Sequence, residues 1–132
     1  MKKAIKLFLY IILCFIPTVL SAQMLIVCAP EFADEMKPFI QWKTQKGMKV
    51  ELITMDKIGS TAAELKNYVA DYYKKNNNRY LLLVGDAEQI PVHFCYEITK
   101  PDPNTAYSDA EYGYISSDEY PPSVLVGRFS AK

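Results

Sequence analysis

Carboxylates crowd one stretch of this chain. Between residues 86 and 119 stand Asp86, Glu88, Glu97, Asp102, Asp109, Glu111, Asp118 and Glu119, and Lys100 is the only lysine or arginine among them. Carboxylates at close range repel unless they are solvated, protonated or bridged by a cation. Calcium suits such donors. It takes about six to eight oxygens, backbone carbonyls included, and extracellular calcium is plentiful enough to fill weak sites. Asp86, Glu88, Asp109 and Glu111 are the candidate ligands. A second reading stays open: a solvated acidic loop in which an Asp caps a turn.

Nucleophilic chemistry has few candidates. His93 is the only histidine, and Cys95 lies two residues on. That spacing puts both on one side of an extended segment, but two ligands do not make a zinc site. Cys28 and His93 follow neighbouring strand ends, so a Cys/His dyad is geometrically conceivable. The plainer reading is a core cysteine and a loop histidine. Cys28 and Cys95 can also be read as a disulfide or as two separate buried thiols. No G-x-S-x-G, H-E-x-x-H or G-x-G-x-x-G motif is present. LVGDAEQIP resembles a segment that certain helicases carry near nucleotide phosphates, but the chain has no G-x-x-x-x-G-K-[ST] loop. No catalytic residue is assigned.

The elements that must position these residues are legible from periodicity. MLIVCA (24–29) is a continuous apolar run, as expected of a strand buried on both faces. Residues 33–46 carry Met36, Phe39, Ile40 and Trp42 at helical spacing, with Pro38 near the first turn and Gly47 as the stop. KVELIT (49–54) is the second strand. Residues 59–75 form a helix with Thr61 and Glu64 as a capping box and Leu65, Tyr68, Val69, Tyr72 and Tyr73 as its apolar stripe. YLLLV (80–84) is the third strand, and SVLVGRF (123–129) holds a weaker fourth. Buried strands alternating with amphipathic helices imply an α/β fold with a parallel sheet and right-handed crossovers. Asp86 then sits at a strand's carboxyl end, where open α/β sheets bind ligands. Residues 92–122 are long for a loop in so small a domain.

The first 22 residues read as a secretory signal peptide. Lys2, Lys3 and Lys6 precede an apolar stretch from Leu7 to Ile16, Pro17 breaks it, and Ser21-Ala22 offers a cleavage site before Gln23. The apolar stretch is too short to span a membrane comfortably, and an uncleaved anchor is the alternative. The leader takes three of the fifteen lysines and arginines and none of the fifteen acids, leaving twelve against fifteen, a net charge of −3. That balance excludes a nucleic-acid footprint. The expectations are one mature domain, 23–132, no stable membrane span after cleavage, and a secreted, periplasmic or cell-surface location.

Six segments in order carry a resemblance: MLIVCAPEF, FIQWKTQKGMKVELIT, IGSTAAELKNYVADYY, YLLLVGDAEQIP, YSDAEYGYI and VLVGRFSAK. Together they resemble the gingipain family of secreted cysteine peptidases. The resemblance implies a three-layer α/β/α domain with a mainly parallel sheet of about four strands, similar to one caspase-like (gingipain-like) subdomain. It implies bound calcium near acidic loops. It also implies that this chain is like the first, non-catalytic subdomain, because the family's His-Gly segment and strand-ending Cys belong to a second one. The function expected is the amino-terminal portion of a secreted cysteine endopeptidase, inactive alone. Its partner is the second peptidase subdomain or a partner protein, and a polypeptide is its substrate only once completed. The alternative is a secreted, calcium-dependent binding module without enzymatic activity. On the first reading, the surface that the second half would cover is expected to show as an apolar patch or unpaired sheet edge.

Overall fold

The computed structural model describes residues 23–94, 107–116 and 120–131. The leader, Cys95 with its pairing to Cys28, and the acids Glu97, Asp102, Asp118 and Glu119 lie outside the described residues.

The chain runs β1 (Gln23–Cys28), α1 (Lys37–Gln45), β2 (Lys49–Thr54), α2 (Ala62–Asn76) and β3 (Tyr80–Val84). A short antiparallel pair follows, β4 (His93–Phe94) and β5 (Tyr107–Ser108), then a 3-10 turn at Asp109–Gly113 and β6 (Leu125–Phe129). The main sheet is parallel throughout, in the order β2-β1-β3-β6. The 3-10 turn and the β4–β5 pair occupy what periodicity leaves as one long loop.

Strand side chains alternate between faces, so each central strand serves two cores. Leu25, Val27, Leu81 and Leu83 pack with Leu65, Val69 and Tyr72 of α2 on one face. Met24, Ile26, Cys28, Leu82 and Val84 lie on the other, where α1 adds Phe39 and Ile40. This is the three-layer α/β/α arrangement. The layers are unequal: α2 buries three side chains, whereas no residue of α1 is buried. Trp42, which belongs to the apolar stripe of α1 by spacing, is 49% exposed.

Helix α2 starts as its sequence dictates. The Thr61 hydroxyl accepts from the Glu64 amide at 3.3 Å, and Glu64 Oε2 accepts from the Thr61 amide at 3.0 Å. Both bonds satisfy amides that the first helical turn leaves without partners. Hydrogen bonds from Thr61 and Ser60 hold the Glu64 carboxyl below its usual range. Thr61→Ala is expected to cost about 1 kcal/mol in a urea melt.

Candidate functional site

The carboxyl ends of β1, β3 and β6 meet in one place, and a backbone turn opens there. Gly85 has φ +137°, a conformation that side-chain-bearing residues rarely adopt. A Cβ there would stand 3.2 Å from Gln89 Oε1 and 3.3 Å from the Ala29 methyl. The Gly85 amide donates to the Phe129 carbonyl at 2.9 Å, which stitches the turn to β6. Asp86 then shapes the loop. Its Oδ1 accepts from the Ala87 amide at 2.9 Å, and its carbonyl accepts from the Ile90 amide at 2.9 Å. Gln89 closes the ring, accepting from the Asp86 amide through Oε1 at 2.7 Å and donating through Nε2 to Glu31 beyond β1.

Arg128 holds the centre of this region. Its Nε and Nη2 each donate to one oxygen of Asp109 at 2.7 Å, and its Nη1 donates to the carbonyls of Gly85 at 3.0 Å and Ile90 at 3.1 Å. One guanidinium thus joins β6, the turn after β3 and the 3-10 turn at Asp109–Gly113. A planar fork with fixed donors suits this task, and a lysine could not reproduce it. Next to it Tyr112 is fully buried and donates through Oη to the Pro91 carbonyl. Burial and the nearby Asp109 charge push the Tyr112 phenol up to about 12.

The four calcium candidates do not converge. Asp109 has both oxygens on Arg128, Glu111 pairs with Lys66 at 3.5 Å, Asp86 folds back on its own loop, and Glu88 is exposed. Among the described residues no group of three or more His, Cys, Asp or Glu side chains stands close enough to hold a metal ion. A calcium cage needs several oxygens turned toward one point, so these four residues do not fit one. The carboxylate excess is answered in part by Arg128, which lies outside the acidic stretch in sequence. Its signal was visible: a single cation inside an apolar strand, SVLVGRF, needs an anion nearby.

Cys28 and His93 are not brought together. Cys28 faces the α1 side of the sheet, whereas His93 packs edge-on against Tyr112 in the α2-side core, with ring centroids 5.9 Å apart. The Cys28 thiol donates to its neighbour's carbonyl, Ala29 O, at 3.1 Å. Burial, then the charges of Glu31 and Glu35, push its pKa from 9.0 up to about 11. A nucleophilic thiol needs the opposite environment, one that favours the thiolate. In a Cys95→Ser background, native Cys28 is expected to react with a disulfide reagent at a rate that climbs with pH toward about 11. In urea the same rise should level off near the ordinary thiol value. A native rate that levels off below pH 8 would overturn this inert reading.

The profile of Peptidase family C25 matches residues 18–132. The chain belongs to this family. Gingipain R2 of Porphyromonas gingivalis is 31% identical over 116 residues, which cover 85% of this chain and 15% of that protein. Lys-gingipain of the same organism is 29% identical over 119 residues, 83% of this chain and 6% of that one. Among solved structures, the Arg specific cysteine proteinase gingipain R matches with a TM-score of 0.72 at 31% identity, covering 85% of this chain and 25% of that chain. A complex of pro- and mature domains from Porphyromonas gingivalis matches with a TM-score of 0.71 at 30% identity. The chain therefore spans a small share of its curated relatives and a quarter of the solved proteinase chain. The α/β layers described above are what this chain has in common with the solved gingipain R chain, and in this chain Arg128 and Gly85 organise the ends of β3 and β6.

Proposed function

We propose that this polypeptide is the first α/β portion of a secreted C25 cysteine endopeptidase and is inactive alone. The observation that carries the reading is the match to one quarter of a cysteine proteinase chain, in a domain whose one described thiol is buried and held as a thiol. Removing nucleophile and base from a cooperating set forfeits most of the rate enhancement, so a scaffold portion by itself has no proteolytic role. Its work is to present the ends of β1, β3 and β6 as a fixed platform. The leader is the route of export, and among the described residues no helix is long and apolar enough to cross a membrane.

The decisive test is the DNA beyond the codon for Lys132. A continuing frame with a His-Gly segment and a strand-ending Cys supports the reading, and unrelated sequence after a true stop sinks it. In that second case the chain is a secreted binding module. The exposed Trp42, Leu125 and Phe129 favour this as the second reading.

A further inference from the structure

The two edges of the sheet are built differently. β2, at one edge, carries exposed Lys49 and Glu51, which discourage a further strand or apolar partner. β6, at the other, turns Arg128 inward to Asp109 and leaves Leu125, Gly127 and Phe129 on its opposite side. Leu125 is 60% exposed and Phe129 48%. A Cβ added at Gly127 would meet nothing within 4 Å, so the space above the strand is open. Helix α1 forms one wall of this space. Phe39 meets Phe129 edge-on with ring centroids 5.8 Å apart, and Trp42 follows Phe39 at 6.0 Å.

The wall is basic as well as aromatic. Lys43 Nζ lies 4.7 Å from the Trp42 ring centre and 5.3 Å from that of Phe39, and Lys46 Nζ lies 5.9 Å from Trp42. Neither α1 nor β6 contains an acidic residue. A second copy docked through this same face would bring these lysines near their own counterparts, which like-charge repulsion disfavours. Carboxylates are the complement.

We infer that the α1 side of β6 seats an acidic, leucine-bearing segment supplied by the remainder of the peptidase chain. The inference rests on the peptidase reading for the source of that segment. The charge and apolar surface of the seat belong to this chain alone. The covered face contains the chain's one tryptophan, so docking reports itself.

The test uses two synthetic peptides of about 14 residues with one leucine pattern, one with Glu and the other with Lys at the polar positions. Each is titrated into the chain while Trp42 emission is followed. The Glu peptide is expected to shift the emission to the blue and to bind about tenfold more tightly than the Lys peptide, an advantage that salt reduces. Lys43→Glu with Lys46→Glu should reverse the preference. Gly127→Phe should block both peptides without lowering the melting temperature, since its side chain enters open space. No shift with either peptide, equal binding of both, or a blue shift that grows with the chain's own concentration would each overturn the inference. A missing downstream half would sink the peptidase reading and leave the peptide preference intact. A downstream half with no preference for the Glu peptide would sink only this inference.

Discussion

Asp109→Asn is expected to lower the stability of the domain by about 3 kcal/mol, the low end for one half of a buried ion pair. The pair sits between surface and core: the Arg128 side chain is 11% exposed and that of Asp109 23%. Asparagine keeps the shape and removes the charge. Arg128 would then hold its two carbonyl contacts but be left as an uncompensated cation in a nearly closed site. Loss of a whole surface pair costs about 0–1 kcal/mol and fades with salt. Urea melts in low and high salt separate the two cases. A small loss that vanishes with salt would place the pair on the surface and remove Arg128 from its organising role. Arg128→Lys is the sharper companion, because it keeps the charge and loses the fork. It is expected to lose most of what Asp109→Asn loses, since one ammonium cannot serve Asp109, Gly85 and Ile90 together.

The same pair explains which features of the chain can be read from sequence. β2 and β3 run over the expected residues, and β1 is displaced by one, because hydrophobic runs and turn residues are local signals. The Thr61–Glu64 capping box is local too. The apolar patch on an edge strand follows from the resemblance to part of a larger domain. Asp109–Arg128 is not local: the partners are nineteen residues apart and meet only when β6 docks on β3. Counting charges within 86–119 therefore finds an excess of acids and misses the cation that answers it. Trp42 fails for a related reason. Its spacing marks an apolar face of α1, but the helix lies over the centre of the sheet and leaves that edge of itself uncovered. Spacing defines a face without saying what will lie against it.

Gly113→Ala tests whether the region is one unit. Gly113 closes the 3-10 turn, and its carbonyl accepts from the Val124 amide at 3.2 Å. An added Cβ would overlap the Val124 carbonyl oxygen, with Val126 Cγ2 at 3.2 Å and Pro122 Cβ at 3.3 Å behind it. The first obstacle is backbone, which cannot rotate aside as a side chain can. The turn must lift from β6, and the expected cost is about 2–3 kcal/mol, the range for overpacked cores. Lifting the turn also moves Asp109, four residues earlier, away from Arg128. Once Gly113→Ala has pulled the carboxylate away, Asp109→Asn has little left to remove. The double variant is therefore expected to lose about 1 kcal/mol less than the two single losses together. Full additivity in urea melts would mean that the turn shifts without disturbing the ion pair. The carboxyl ends of β3 and β6 would then be held by independent contacts, and a partner docking on the far side of β6 would have no path through Arg128 to the loop at Asp86.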